Sequence, residues 1–271
     1  MNNFRTDVKK GALLLAVGLV LCGLAGCGEK KVEPPRQYSG WQKYSYKHFV
    51  YHFPADSYWG KNIERLSSAY ERYLSEMCSF LAIEIPKDTI HFYIHDNPSS
   101  GKELTGHDPP YVTDNQIHWG RRSAFGVPLA MFLVNKMRIR MTDFQVLYDG
   151  LITLLDYSQS DYHHLTSSLF EIERYIPLDT LIDNESFARA GEKYRSWEAA
   201  SMVAYIAYTY GINRFKMLWQ STASFDRSVQ ELFGADQETF EKEWHEFALQ
   251  YYKGINIRTD VVPPDTTNSD D

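Results

Sequence analysis

The period of the hydrophobic pattern changes near residue 127, and this change limits the possible folds more than any other feature of the sequence. Before it, aromatic and β-branched residues form short alternating runs, a pattern typical of β-strands. These runs are residues 46–54, 89–96 and 115–119, and a helical pattern at 62–83 separates the first two. After it, apolar residues recur every three to four positions, which predicts only helices. The predicted helices are residues 127–138, 142–157, 162–175, 195–210, 212–221, 225–233 and 236–251.

We therefore expect an α+β protein with two successive parts. A small sheet with a long helix occupies residues 41–125, and a larger all-helical part occupies residues 126–253. Residues 97–111 are rich in Gly and Pro and are predicted to form a loop. Residues 254–271 contain few apolar side chains and are predicted to be disordered.

Two histidines lie on the predicted strand at residues 89–96. The apolar residues of this run alternate with them and are predicted to face the core, so we expect His91 and His95 to face solvent. By strand rise the two are about 13 Å apart, which is too far for them to share a metal ion.

The first 27 residues have the features of a secretory signal. Arg5, Lys9 and Lys10 form a basic start, and an apolar run of about 16 residues follows, shorter than the roughly 20 residues of a membrane span. The run ends in LAGC at residues 24–27, which resembles a bacterial lipobox. The resemblance implies cleavage before Cys27, which becomes the lipidated first residue. A stop-transfer membrane anchor is the alternative.

Lipidation predicts where the protein is found. Several acyl chains hold a protein stably on a membrane, so we expect contact with the membrane through the lipid on Cys27, in the bacterial cell envelope. Gly28 follows this cysteine where an inner-membrane retention signal would have Asp, which favours the outer membrane, facing the periplasm, in a Gram-negative cell. Residues 28–40 are charged, contain a Pro pair and are predicted to be a tether.

Charge and cysteine content argue against a nucleic-acid-binding protein and against a fold held together by disulfides. The net charge is −7; without residues 1–26, Lys plus Arg falls from 28 to 25 and Asp plus Glu from 35 to 34, which leaves −9. This mild acidity gives no sign of a nucleic-acid partner. Cys22 leaves with the signal and Cys27 is acylated, so Cys78 remains alone and no disulfide framework is expected. Cys78 lies on an apolar helix face and is predicted to be a small core residue.

The helix at residues 142–157 carries an unusual pair, Asp149 and Gly150, inside an apolar run. Gly costs a helix interior about 1 kcal/mol relative to Ala, and an acid on an apolar face needs a partner. A specific reason for both residues is therefore expected.

The order of the elements, together with two C-terminal motifs, resembles the peptidase MA-like (gluzincin) zinc metallopeptidases of bacterial envelopes. The motifs are YRSWEAASMVAYIAYTYGINRFKMLWQS at 194–221 and SVQELFGADQETFEKEWHEFA at 228–248, and the likeness covers roughly residues 41–250. It implies a gluzincin-like fold. In that family, zinc is held by H-E-x-x-H on one helix and by a Glu on the next, and the Glu of H-E-x-x-H activates the zinc-bound water.

In this chain the matching positions have other residues. VLYDGLITLL at 146–155 stands at the H-E-x-x-H helix, so Asp149 falls on the first His, Gly150 on the catalytic Glu and Thr153 on the second His. On the next helix, Ser167 falls on the ligand Glu. The resemblance therefore implies a protein without catalytic residues, metal or cofactor, in which Asp149 and Gly150 border a leftover cleft.

Other constellations give alternatives. His163, His164, Glu171 and Glu173 cluster on one predicted helix, which leaves open an active hydrolase with a relocated metal site. A serine hydrolase built from Ser167, Ser168 and His164 lacks a nucleophile elbow and an orienting third group. Aromatic residues that either line a cleft or pack in the core are Trp197, Tyr205, Tyr208 and Tyr210.

These observations lead to one expected function. The chain is expected to be a membrane-tethered envelope lipoprotein with a metallopeptidase-like fold, and a binding or scaffolding protein for a polypeptide or envelope partner rather than an enzyme. The further alternative is an unrelated helical structural lipoprotein, in which Asp149 merely faces solvent.

Overall fold

The computed structural model describes residues 40–120, 125–156 and 161–251. The predicted signal, Cys27, the tether up to residue 39 and the predicted disordered tail lie outside these residues. The strands are β1 (Trp41–Tyr46), β2 (Phe49–Pro54), β3 (Ile90–His95), β4 (Tyr111–Val112) and β5 (Gln116–Gly120). The helices are α1 (Tyr58–Lys61), α2 (Ile63–Phe80), α3 (Pro98–Thr105), α4 (Val127–Lys136), α5 (Gln145–Leu154), α6 (Tyr162–Glu171), α7 (Leu178–Ile182), α8 (Asn184–Arg189), α9 (Glu192–Thr209), α10 (Ile212–Trp219), α11 (Phe225–Phe233) and α12 (Gln237–Tyr251).

The five strands form one mixed sheet in the order β1-β2-β3-β5-β4. The pairs β2–β3 and β3–β5 are parallel, whereas β1 and β4 pair antiparallel with β2 and β5 at the two edges. Every helix from α4 onward follows the sheet in sequence. This arrangement confirms the predicted α+β fold class.

The core is continuous from the sheet to the helices. On one face of the sheet, Tyr70 of α2 lies 4.6 Å from Phe92 of β3 and 4.5 Å from Phe125, measured between ring centroids. The Tyr70 hydroxyl also donates to the main-chain carbonyl of Phe125 at 2.6 Å. Cys78 of the same helix is free and buried, as predicted. Aromatic packing thus joins the sheet to the segment that leads into the helices.

Helix α9 is the centre of the helical part. Its residues 198–207 are all buried, and α5, α6, α10 and α12 pack around it. A helix that is buried on all sides lacks a polar face, and this is why the sequence of α9 alternates so little between polar and apolar residues. None of the described helices is long and apolar enough to cross a membrane.

Three parts of the sequence-based prediction need correction. Residues 98–105, predicted as loop, form α3, because the Asn97 side chain accepts from the Ser100 N–H at 2.9 Å, Pro98 begins the helix and Gly106 ends it in the left-handed conformation. The predicted strand at 46–54 contains the turn between β1 and β2, where Lys47 has a φ of 48°. Strands β1 and β4 and the short helices α1, α7 and α8 were not predicted.

Candidate functional site

Gly150 lies at the point where α5 crosses α9. A Cβ atom on this residue would stand 2.4 Å from the carbonyl oxygen of Ala199 and 2.8 Å from Cγ2 of Val203. Real Cβ atoms do not approach main-chain oxygen this closely, so only Gly fits. The glycine is therefore explained by helix packing.

Asp149, next to this glycine, is half-buried. Its Oδ1 accepts a hydrogen bond from Nε2 of Gln145, one turn earlier on α5, at 2.7 Å. Burial raises the pKa of this carboxyl, and the nearby Glu192 raises it further, whereas the bond from Gln145 and the charge of Arg195 lower it. The acid thus has its partner within α5 and faces the first turn of α9.

The Ser167 side chain forms a hydrogen bond within its own helix, α6. Its hydroxyl donates to the main-chain carbonyl of His164 at 2.9 Å, and the Ser168 hydroxyl donates to the same oxygen at 2.9 Å. Helices α5 and α6 both pack on α9. The Asp149 side chain is thus hydrogen-bonded within α5, to Gln145, and the Ser167 side chain within α6, to His164.

The residues of the alternative metal cluster lie in different environments. His163 is buried, and its Nδ1 lies 2.9 Å from the hydroxyl of Ser201, which also accepts from the Trp244 indole N–H at 3.1 Å. Burial lowers the pKa of His163 to about 4. Glu171 and Glu173 are exposed. Within residues 40–120, 125–156 and 161–251, no group of three or more His, Cys, Asp or Glu is placed to hold a metal ion.

A cleft of about 470 Å³ opens beside the C-terminal end of α5 and the first turns of α9. The residues that line it are Thr153, Asp156, Tyr162, Glu192, Lys193, Ser196 and Trp197. Of Asp149, Gly150, Thr153 and Ser167, Thr153 contributes to this lining. Asp156 is 9% exposed, and its carboxylate accepts from the Tyr162 hydroxyl at 2.7 Å.

Of the four aromatic residues that the sequence singled out, only Trp197 lines this cleft. The hydroxyls of Tyr205 and Tyr210 both donate to Oε2 of Glu243, at 2.9 and 3.0 Å, so these two residues tie α9 to α12. Tyr208 is exposed beside Phe80.

The opposite face of the sheet carries a layer of stacked rings. Tyr93 lies between His52 and His118, with ring centroids 4.3 and 4.6 Å away and nearly parallel planes. Ring nitrogens of His52 and His91 are 3.1 Å apart, and those of His95 and His118 are 3.2 Å apart. Each pair offers two ring nitrogens, fewer than the three or four protein ligands of typical zinc sites.

The prediction that His91 and His95 face solvent is wrong. His95 is 1% exposed, because α3 lies over this end of β3 and a Cβ on Gly101 would stand 3.2 Å from the His95 ring. His91 is half-buried beside His52. Burial lowers the pKa of His95 to about 4 and that of His118 to about 3. Strand alternation placed these residues on the correct face but could not show that α3 covers it.

Comparisons of this chain with protein-family models, with curated proteins and with solved structures returned no match.

Proposed function

We propose that this chain is a non-catalytic binding protein with a metallopeptidase-like fold, held on a bacterial envelope membrane by lipid on Cys27. The cleft beside Thr153 binds a segment of a polypeptide partner. The sequence resemblance supports the fold family, and the LAGC box supports the lipid anchor. The lining of the cleft places two aromatic side chains, Tyr162 and Trp197, among polar and charged groups, which can hydrogen-bond the main chain of a peptide.

The observation that carries this proposal is the contact between Gly150 and Ala199. A metallopeptidase needs a carboxylate next to its zinc-bound water to act as general base. At position 150, which matches that carboxylate, a side chain of any size would collide with the main chain of α9. Helices α5 and α9 therefore pack so closely that position 150 has no room for the carboxylate of a general base.

Metal content tests the loss of catalysis. The full chain is purified in detergent without chelator, and its zinc content is measured by elemental mass spectrometry before and after incubation with zinc. Hydrolysis of a fluorogenic unfolded polypeptide is followed in the same samples. We expect a zinc-to-protein ratio near zero and no hydrolysis. A ratio near one, with hydrolysis that a chelator abolishes, would overturn the proposal.

Site-specific crosslinking tests the binding role. A photoreactive residue replaces Ser196, which lines the cleft, and in a matched control it replaces Met217, which is 56% exposed on α10. Both proteins are irradiated with labelled short peptides. We expect peptide adducts with the Ser196 variant and few with the Met217 variant. Equal labelling of the two positions would contradict a binding site in the cleft.

A further inference from the structure

A short segment covers the buried pair of histidines, His95 and His118. It consists of residues 98–110, that is, α3 and the turn that leads to β4, and we call it the lid. A Cβ on Gly101 of the lid would stand 3.2 Å from the His95 ring, and a Cβ on Gly120 of β5 would stand 3.2 Å from the main chain of the lid. The lid therefore lies directly on the ends of β3 and β5.

The charged side chains of the lid are all exposed. Lys102 donates to Asp108 at 2.9 Å, so this ion pair lies within the lid, and Glu103 and His107 face solvent. Within the described residues, the other side-chain hydrogen bonds of the lid also run inside it or to the adjacent Asn97. Packing, and not polar contact, thus holds the lid on the sheet.

The hydrogen bonds of the buried pair determine where its ring hydrogens lie. Nε2 of His118 is 3.4 Å from Oε1 of Gln116, which can only accept, so the hydrogen of His118 is on Nε2. Nδ1 of His118 is then an acceptor, and Nε2 of His95, at 3.2 Å, donates to it. This leaves a lone pair on Nδ1 of His95, a buried atom without a hydrogen-bond partner in the part of the chain that the structure describes.

This lone pair is where the pair takes up a proton. The resulting imidazolium would have an N–H without an acceptor in a site that is 1% exposed, and burying an unpaired charge is costly. Neither His95 nor His118 has a carboxylate partner among the described residues. The titratable groups that face the pair are His52 of β2, Tyr93 of β3, Tyr111 of β4 and His107 of the lid.

We propose that the lid opens in acid. When His95 takes up a proton at Nδ1, the lid lifts, water reaches the imidazolium, and the layer of stacked rings around His118 becomes exposed. The lid gives way because it is a short segment without polar contacts to the sheet, whereas the strands that carry the two histidines are held by their ladder of main-chain hydrogen bonds.

The direction of the pH dependence follows from burial. In the closed form burial lowers the pKa of His95 from 6.5 to about 4, and in the open form the ring regains its ordinary value. Between these two values the open form binds a proton that the closed form lacks, so the closed form loses stability as pH falls from 6.5 to 4. For one proton, the open fraction rises by at most about tenfold per pH unit.

Hydrogen exchange detects this opening. Isolated helices shorter than about 12–15 residues are marginal in water, so a lifted α3, with its eight residues, will exchange its amide hydrogens. Deuterium uptake of the detergent-purified full chain is measured by mass spectrometry at several pH values, with rates corrected for the intrinsic effect of pH. We expect the corrected rate of α3 to rise several-fold per pH unit between pH 6.5 and 4, while residues 198–207 of α9 stay protected.

Variants identify the group that takes up the proton. His95→Gln and His95→Phe cannot be protonated, so the corrected rate of α3 should no longer change with pH. His245→Gln is the matched control, because burial lowers the pKa of His245 to about 4 as well, but this residue lies on α12, and the variant should follow the wild type. Asp108→Asn removes the ion pair of the lid and should keep the wild-type rise.

Two results would overturn the proposal. One is a wild-type α3 that labels no faster in acid, or that does so only together with α9, which would indicate global unfolding; this comparison is decisive even if neither His95 variant folds. The other is a rise that both His95 variants keep and Asp108→Asn loses, which would place the proton on the ion pair of the lid.

Discussion

A Cβ atom on Gly150 would lie 2.4 Å from the carbonyl oxygen of Ala199, so α5 and α9 touch main chain to main chain at this point. In an exposed helix, replacing Gly with Ala stabilises a protein by about 1 kcal/mol. For Gly150→Ala we expect the opposite sign, a loss of about 1–3 kcal/mol in the free energy of unfolding, because the methyl group forces the helices apart. Urea denaturation followed by circular dichroism measures this change.

Gly191 provides the control for that substitution. It precedes α9, and a Cβ there would meet its nearest heavy atom, in the Tyr194 ring, at 3.8 Å, an ordinary contact distance. Gly191 is the N-cap residue of α9, where Ala is less favoured than Gly, so we expect Gly191→Ala to lower the free energy of unfolding by no more than about 0.5–1 kcal/mol. If Gly150→Ala were as stable as this control, the close crossing of α5 and α9 would be wrong.

The raised pKa of Glu198 predicts that the free energy of unfolding falls as pH rises. It is fully buried on α9, its carboxyl accepts from the Ile176 N–H at 3.0 Å, and burial raises its pKa from 4.5 to about 8. Between these two values the unfolded chain releases a proton that the folded chain keeps, so stability falls as pH rises from 4.5 to 8. Glu198→Gln keeps the acceptor and cannot ionise.

The difference between this variant and the wild type should therefore depend on pH. We expect Glu198→Gln to gain up to about 1 kcal/mol per pH unit relative to wild type across that window, measured by urea denaturation at several pH values. Glu185→Gln, at an exposed position of α8, should follow the wild type throughout. A constant difference for Glu198→Gln would mean that Glu198 is ionised in the folded protein.

The lowered pKa of His52 predicts that the free energy of unfolding falls as the solution becomes more acidic. Burial, with smaller contributions from His91 and Lys43, lowers its pKa from 6.5 to about 4. As pH falls through this window the unfolded chain takes up a proton before the folded chain does, so stability is lost. His52→Phe keeps a ring on Tyr93 and should make the fall between these pH values shallower by up to about 1 kcal/mol per pH unit. Parallel curves for the two proteins would contradict a neutral, buried His52.

Cys27 tests the proposed anchor. In Cys27→Ser the lipidated thiol and the cleavage box are lost, so we expect the protein to lose labelling by radioactive palmitate and to keep residues 1–26, seen as a higher mass. A Cys22→Ser variant changes the signal but not the lipidated residue and should keep both the label and the lower mass. A wild-type chain that keeps residues 1–26 and takes up no label would favour the alternative of a stop-transfer anchor.

The sequence was sufficient for the fold class because its two hydrophobic periods are separated along the chain. Alternate apolar residues of β2, β3 and β5 face the core, and α2 buries one face, so both periods are visible in the sequence. Strand β1 was missed because none of its residues is fully buried. Helix α3 was missed because Pro98, Gly101 and Gly106 lie within or directly beside this short helix and are typical of loops.

Residues near the candidate site could be located but not understood from sequence alone. The rarity of Gly inside an apolar helix pointed to position 150, but its cause is the Ala199 carbonyl of a helix about fifty residues later. Thr153 and Trp197 come together only because α5 crosses α9 nearby. The sequence did not predict that His52, His95 and His118 lie close together, because these residues belong to different strands.

The complete burial of residues 198–207 has a consequence for the dynamics of the protein. Main-chain amides in the middle of such a helix exchange their hydrogens with solvent only when the whole structure opens. In deuterium-exchange mass spectrometry this segment of α9 should be the slowest to label, with an exchange rate set by global unfolding. Once exposed, its long apolar surface has no solvated face, so the opened chain will associate with other copies unless it refolds quickly.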